Sequence, residues 1–356
     1  MNTLTQPLAA DGSPLVMRGL NTDSDLQGVC QLFSDVFSQP MDTAQWRWKY
    51  MQAPNSQHYH ALAVHMHTGQ VLGHMGVLIV PGVRGAQPIR MAHATDLMIS
   101  PLARTGLGTD SVYRHIMHTV RELALNADPG APPLFMYGFP GRRPATLAIR
   151  LRIQRQLQIC TEYVTHDSAA LPLSAWQRLQ QWWRKRNRLR VLAQPQPAEA
   201  AAWSDAVLDP LWQSHVHELA AQPPEQAQPS IAKTGAYLRW RYLNHPQQYA
   251  QPHTQHSQRY TLWLLNRPGH PPQGWLITSQ QPKPTVVDSC LPMGDDWIEA
   301  SLQALLTKTA GSWASWLPHP SAQAQATPIW ATAMQGAQFY DHWPSPAFQP
   351  GDTDVF

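Results

Sequence analysis

A tetrapeptide that occurs twice constrains the fold more than any other feature. Arg47-Trp48-Lys49-Tyr50 returns as Arg239-Trp240-Arg241-Tyr242, an offset of 239 − 47 = 192 residues, and the pairs Pro54/Pro246 and Asp96/Asp288 keep that offset. A short strand at Leu189–Leu192 and a helix at Ala198–Ala220 would precede the second motif as similar elements precede the first. Compensating gaps are needed between these anchors, but a duplicated α/β unit accounts for them together. With 356 residues, 43% of them hydrophobic, the chain is long enough for two ordinary domains, each with its own core. The expected spans are 14–168 and 189–356, joined by a connecting helix over 169–188.

Thirty-three prolines punctuate the chain, many within Ala/Gln/Pro runs at Ala193–Ala202, Ala221–Ser230 and Pro320–Pro328 that bury little and read as loops. Between them the pattern is mixed α/β. Leu15–Arg18 is a short strand. Asp23–Phe37 is a helix with Asp23 as its N-cap and Leu26, Val29, Cys30, Leu32, Phe33, Val36 and Phe37 on its apolar face. Tyr59–Met66 and Val71–Val80 form a hairpin around His67-Thr68-Gly69-Gln70. Ile89–Ile99 is a strand, Thr109–Ala124 a helix, Leu134–Phe139 a buried strand bounded by prolines, and Ala145–Gln156 a helix.

Composition narrows the function. A formal net charge of +3 with 14% charged residues gives no strong field for nucleic acid, so none is expected as a partner. Cys30, Cys160 and Cys290 are odd in number, far apart and without metal-ligand spacing, which fits a reducing compartment. The N-terminus lacks a signal-peptide pattern, and no apolar stretch is long enough to span a bilayer. A cytoplasmic protein is the expectation.

Chemistry concentrates between Met91 and Arg121. In Arg104-Thr105-Gly106-Leu107-Gly108-Thr109, glycines let the backbone approach a ligand closely. The helix that follows turns unpaired N–H groups and the positive end of its dipole toward that loop, which suits an anion. A tight strand-to-helix turn is the bland alternative for Gly-x-Gly alone. Here the loop follows a strand holding Asp96 and Ser100-Pro101, and precedes a helix and an apolar strand ending in Gly138-Phe139-Pro140-Gly141.

The run Ala94-Thr95-Asp96-Leu97-Met98-Ile99-Ser100-Pro101, followed by Arg104-Thr105-Gly106-Leu107-Gly108, resembles the fourth strand and pyrophosphate loop of the GNAT superfamily of N-acetyltransferases. Leu134–Phe139 with Ala145–Gln156 resembles the fifth strand and fourth helix. The resemblance covers roughly Val16 to Tyr163, and extends weakly to the C-terminal half through the repeated tetrapeptide. Ala103 stands where the family's loop has Arg or Gln, with the arginine one residue later, and the Ala145–Gln156 helix has no tyrosine. The resemblance implies a mixed-sheet α/β acyltransferase fold in two tandem copies, and transfer from acetyl-CoA, or another acyl-CoA, to a primary amine by direct attack. The acceptor would be a small molecule such as an amino sugar. Backbone N–H groups of Arg104, Thr105, Gly106, Leu107, Gly108 and Thr109 would hold the pyrophosphate, and Leu97, Met98 and Ile99 would pair with the pantetheine. The N–H near Met98 would polarise the thioester carbonyl. Asp96 would accept the amine proton, with His93 as second candidate, and Tyr137 would protonate the thiolate. Against these roles stand the bland ones: a structural carboxylate for Asp96, a core tyrosine for Tyr137.

Two other functional classes remain: a tandem aminoacyl transferase fed by charged tRNA, which would need no such loop, and an acyl-CoA-binding module without catalysis. The pairs His58/His60, His65/His67 and His215/His217 have strand spacing for a metal but no third ligand, so no metal is expected. Trp46, Trp48 and Tyr50 fit a core better than an acceptor pocket. The basic amphipathic stretch Trp176–Arg190 fits an interdomain helix better than a membrane-surface helix. In the C-terminal half, Asp288 is followed by a single glycine, Gly294, and by Asp295 and Asp296, carboxylates that would repel a pyrophosphate. One acyl-CoA per chain is therefore expected, in the first copy. The oligomeric state is left open.

Overall fold

The computed structural model describes residues 6–104, 106, 110–126, 128, 130–166, 192–195, 200–223, 225–246, 259–267, 269–279, 283–292, 296–306, 312–318, 322–336, 339–340, 343–346 and 348–353. They divide into two compact units: Met1–Val83, Pro88–Leu157 and Ala331–Trp343 in unit 1, and Arg84–Gln87, Gln158–Trp330 and Pro344–Phe356 in unit 2. Unit 1 is thus not continuous along the chain, in contrast to the spans 14–168 and 189–356. The expected connecting helix over 169–188 and the basic stretch Trp176–Arg190 fall outside the described residues.

Unit 1 is built on strands β1 (Leu15–Gly19), β2 (Gln57–His65), β3 (Val71–Arg84), β4 (Gln87–Ile99) and β5 (Leu134–Gly138), side by side in that order. β1, β2 and β3 are antiparallel, with Leu15 opposite His65 and His60 opposite Gly76. β4 and β5 run parallel, the arrangement that requires a helical crossover, and α3 (Val112–Asn126) supplies it. Ile116, Val120 and Ala124 of α3 are fully buried against Ala61, Ala63, Ala92 and Met136 of the sheet. Each large apolar side chain buried this way stabilises the unit by about 1.5–3 kcal/mol.

Several helix boundaries differ from the sequence expectation: the helix expected over Thr109–Ala124 is Val112–Asn126, and the one expected over Ala198–Ala220 is Asp205–Ala220. Helix α1 (Asp23–Phe37) is capped by Thr22, not Asp23: the Thr22 hydroxyl accepts from the Asp25 amide, and the Asp25 carboxylate accepts from the Thr22 amide. Helix α4 (Arg142–Arg150) ends six residues before Gln156. Arg152, at φ +55°, closes it in the left-handed conformation, and β6 (Gln154–His166) begins two residues later. The apolar run Leu147–Ile153 hides this stop, because arginine occupies the place where glycine would have signalled it.

Unit 2 has β7 (Leu192–Pro195), α5 (Asp205–Ala220), β8 (Pro229–Ile231), α6 (Gly235–Leu238) and a π-helical turn at Arg239–Leu243. β9 (Tyr260–Asn266), β10 (Gly274–Ser279), β11 (Thr285–Cys290), α7 (Asp296–Leu306), β12 (Ser312–Ser315) and β13 (Gln323–Met334) follow. The order β7-β9-β10-β11-β12 repeats that of β1-β2-β3-β4-β5, again with one parallel pair, β11 and β12, bridged by a helix. Trp263, Leu276, Trp297, Leu302 and Trp313 form its core. The last strand of each half serves the other unit. Tyr163–His166 of β6 pair with Ser312–Ser315 in unit 2, and Thr332 and Ala333 of β13 pair with Gly138 and Tyr137 in unit 1.

Three contacts around the repeated tetrapeptide recur in both units. In unit 1 it lies on α2 (Thr43–Met51), where the Gln52 amide reaches back five residues to the Arg47 carbonyl; the Asn244 amide does so to Arg239. Arg47 pairs with Asp23, the first residue of α1, and Arg239 with Asp205, the first residue of α5. Tyr50 donates to Asp96 at 2.6 Å, and Tyr242 to Asp288 at 2.7 Å. A hydrogen bond to a buried charge contributes about 1.5–3 kcal/mol. Tyr50→Phe and Tyr242→Phe should each lower stability by about that much in denaturant titration; a variant within error of wild type would mean that its hydroxyl does not hold its strand.

Candidate functional site

Strand β4 is paired with β5 only from Arg90 to His93, opposite Leu134 to Tyr137. β5 ends at Gly138 and turns away through Pro140 into α4, whereas β4 continues to Ile99. Between these points Asp96 adopts φ +52°, a left-handed conformation inside a strand that asparagine and aspartate tolerate better than most residues. The reversal re-aims the backbone of Leu97, Met98 and Ile99. Met98 is buried, and Leu97 and Ile99 are half-buried. The strand then enters a 3-10 turn, Pro101–Ala103, capped by the Ser100 hydroxyl.

The conformation of Asp96 is held from both its side chain and its backbone. One carboxylate oxygen accepts from the Lys49 ammonium at 2.9 Å, and the other from the Tyr50 hydroxyl. Lys49 also donates to the Thr95 hydroxyl at 3.1 Å. Lys49, Tyr50 and Asp96 are all buried. Gly76 of β3 makes room for Tyr50, since a Cβ there would meet the phenol ring.

On the backbone side, the Asp96 carbonyl accepts from His74 Nδ1 at 2.9 Å. A line of histidines leads away from this bond: His74 Nε2 lies 3.0 Å from His60 Nδ1, and His60 Nε2 lies 3.2 Å from His58 Nδ1. With the proton of His74 directed at the carbonyl, one consistent arrangement has every ring donate through Nδ1 and accept at Nε2. Burial depresses the pKa of all three rings, that of His74 to about 4 and that of His60 well below its ordinary value. Trp46 and Tyr50 pack on the His60 ring, with centroids 4.8 and 4.5 Å away. Among the described residues no group of three or more His, Cys, Asp or Glu could hold a metal. Trp46, Trp48 and Tyr50 are buried core residues.

The residues singled out in the sequence therefore fall into two groups. His93 and Tyr137 stack where the pairing of β4 and β5 ends, with ring centroids 5.2 Å apart and planes within 2°, and the edge of Phe139 meets them both. Tyr137 is 2% exposed. Asp96 belongs to the other group, with Lys49, Tyr50 and His74. Its expected role as direct proton acceptor falls to a buried carboxylate that already accepts a hydrogen bond on each oxygen. Lys49, Tyr50 and His74 were missed as site partners. The signal that could have revealed Tyr50 was present, because Tyr50/Asp96 and Tyr242/Asp288 share one separation.

Of the loop, Thr105, Leu107, Gly108 and Thr109 fall outside the described residues. Gly106 has φ +138°, which side-chain-bearing residues rarely adopt. Arg104 is exposed, and its Nε donates to the Ile99 carbonyl at 3.0 Å, folding the side chain back onto the end of β4. The three cysteines are free and buried. Among the described residues no helix is long and apolar enough to cross a membrane.

The histidine line makes the strand acid-sensitive. His74 takes up a proton near 6.5 when unfolded but only near 4 when folded, so the unfolded chain binds more protons between these values. Its contribution to stability is complete above pH 6.5 and is lost as pH falls toward 4; His60 and His58 act in the same direction. Denaturant unfolding at a series of pH values should show this loss, and His74→Gln should reduce its slope. An unchanged slope would place the acid sensitivity elsewhere.

No protein-family model and no curated protein matches the sequence. Solved structures do match. A protein of unknown function from Enterococcus faecalis V583, described as a probable N-acyltransferase, superposes with a TM-score of 0.56 at 13% identity, covering 89% of this chain and 72% of that one. A GCN5-related N-acetyltransferase from Anabaena variabilis gives 0.54 at 14% identity over 89% and 72%. Another from Kribbella flavida gives 0.52 at 12% over 90% and 71%. With β4 parting from β5 after His93 and running through a left-handed Asp96 and a short turn toward α3, the chain has the fold of the GCN5-related N-acetyltransferases.

Proposed function

We propose that the protein is an acyl-CoA-dependent N-acyltransferase that carries an acyl group, most simply acetyl, to a primary amine, with the donor site in unit 1. The observation that carries this reading is the divergence at His93 and Tyr137, beyond which Leu97–Ile99 of β4 extend past the end of β5. An extended pantetheine chain would lie along this segment as an added strand. Its pyrophosphate would meet the loop Arg104–Thr109 ahead of α3, where backbone N–H groups favour anions. The Met98 amide would donate to the thioester carbonyl as negative charge develops on it.

Proton transfer divides between the two groups of side chains. Asp96 acts as a positioning residue that fixes the left-handed turn, since its carboxylate is occupied by Lys49 and Tyr50. His93 has the right chemistry and place to accept the amine proton, and Tyr137, stacked on it, is the candidate acid for the leaving thiolate. The acceptor is a small-molecule amine; an amino sugar is one instance. Unit 2 is a degenerate copy without a donor site. The segment Ser289–Trp297 that would hold its loop lies partly outside the described residues, but its sequence has one glycine and two adjacent carboxylates.

The engaged state of Asp96 favours one second reading, a module that binds acyl-CoA without turning it over. Thiol release from acetyl-CoA across a library of amines separates the two. Release with at least one amine is expected, and calorimetric binding without release would leave only the binding module. Gly106→Val and Gly108→Val should abolish acetyl-CoA binding, and the intact chain should bind one equivalent; unchanged affinity, or a stoichiometry of two, would overturn the placement of the donor. His93→Gln should lower turnover by about a hundredfold or more with donor affinity near wild type. Asp96→Asn should impair both, because it removes a charge from the clamp.

A further inference from the structure

Unit 2 holds a cavity of about 360 Å³ beside β6, large enough for a small organic ligand. Glu162 of β6 lines it, as does Lys283, two residues ahead of β11, whose ammonium donates to Glu162 Oε2. The two partners are unequally buried. The Glu162 side chain is 14% exposed, so its charge has given up most of its water and depends on a cation. The Lys283 side chain is 55% exposed, and rotation of its own stem returns its ammonium to solvent.

The rest of the lining suits a ligand that donates hydrogen bonds. The Thr285 hydroxyl gives its proton to the Lys283 carbonyl, and the Thr327 hydroxyl gives its own to the Cys160 carbonyl. A hydroxyl carries one proton, so what either oxygen has left for a ligand is lone-pair density, part of which Thr327 already presents to the Ile329 amide. Half-buried Trp316, directly after β12, Ile329 of β13 and Pro350 supply aromatic and apolar surface. An indole face attracts cations as well as apolar groups.

We propose that this cavity binds a primary amine carried on a compact apolar body, its ammonium displacing Lys283 from Glu162 and its body packing against Trp316, Ile329 and Pro350. The exchange replaces one ammonium by another on the same carboxylate, so the cost of withdrawing charge from water nearly cancels. What drives it is the apolar surface that the ligand adds and that lysine, with its half-exposed stem, does not supply. Lys283 is thus a built-in competitor that sets the affinity of the site. The site lies in unit 2 and is tested by binding alone, so it stands or falls independently of the acyl-transfer reading.

Phenethylamine is the probe, and 2-phenylethanol, with a hydroxyl in place of the ammonium, is its uncharged counterpart. Calorimetric titration of the full chain should show saturable binding of the amine, and binding of the alcohol about tenfold weaker or more at the same ionic strength. Two variants should move the affinity for the amine in opposite directions. Glu162→Gln keeps the shape of the side chain but removes its charge, and should weaken binding about tenfold. Lys283→Ala removes the competitor and should tighten binding roughly threefold. Opposite signs separate the proposal from a merely structural ion pair, whose loss would impair binding from either side. No saturable binding by the wild type, equal affinity for amine and alcohol, or two variants that shift the affinity in the same direction or not at all would overturn the site.

Discussion

The buried charge of Asp96 is the constraint around which unit 1 is arranged. A carboxylate withdrawn from water loses several kcal/mol of solvation, which only well-placed partners offset. Lys49 and Tyr50 provide them from adjacent positions on one helix, so this single interaction ties α2 to β4 across 46 residues of chain. Gly76 is needed for the Tyr50 ring to reach, and His74 secures the backbone of the residue whose side chain the helix grips. The left-handed turn at Asp96, and with it the direction of Leu97–Ile99, follows from this set of contacts.

Unit 2 meets the same demand with a different cation. Tyr242 again donates to Asp288, but Arg241, the counterpart of Lys49, donates instead to the Thr353 carbonyl. The ammonium on Asp288 comes from Lys233, which also lies 3.2 Å from Asp352. Burial raises the pKa of Asp288 and opposes the charge of Lys233, yet the two acids together hold the Lys233 pKa above its ordinary value. The tyrosine–carboxylate bond is common to both units, whereas the cation has been supplied anew.

Much of this architecture was legible in the chain. The offset shared by Tyr50/Tyr242 and Asp96/Asp288 marked residues that are bonded in both units, and the alternation in Tyr59–Met66 and Val71–Val80 gave the hairpin. What stayed hidden was set by tertiary context. The pair His58/His60 looked like scattered histidines on a strand, and His74 drew no reading at all, because their partners are one another and a backbone carbonyl. The end of α4 escaped notice because Arg152 holds a conformation that normally advertises itself as glycine. Stacking of His93 on Tyr137 could not be read from spacing, since it depends on the parallel register of two strands separated by a helix. The exchange of β6 and β13 between units leaves no local trace at all.

That exchange bears on how the protein is made. The pairing partner of β5 within unit 1 is Thr332 and Ala333, nearly two hundred residues downstream in a chain of 356. While the ribosome is still adding unit 2, β5 waits with an open edge, and such edges invite pairing with other chains. Contacts of this sequence separation also form slowly, because a long loop must close before they stabilise anything. The strand that pairs with β5 in the unit proposed to carry the donor site is therefore made only after most of unit 2. A nascent chain that has reached Trp330 holds every residue of the proposed donor site and still lacks the residues of β13 that pair with β5 beside it.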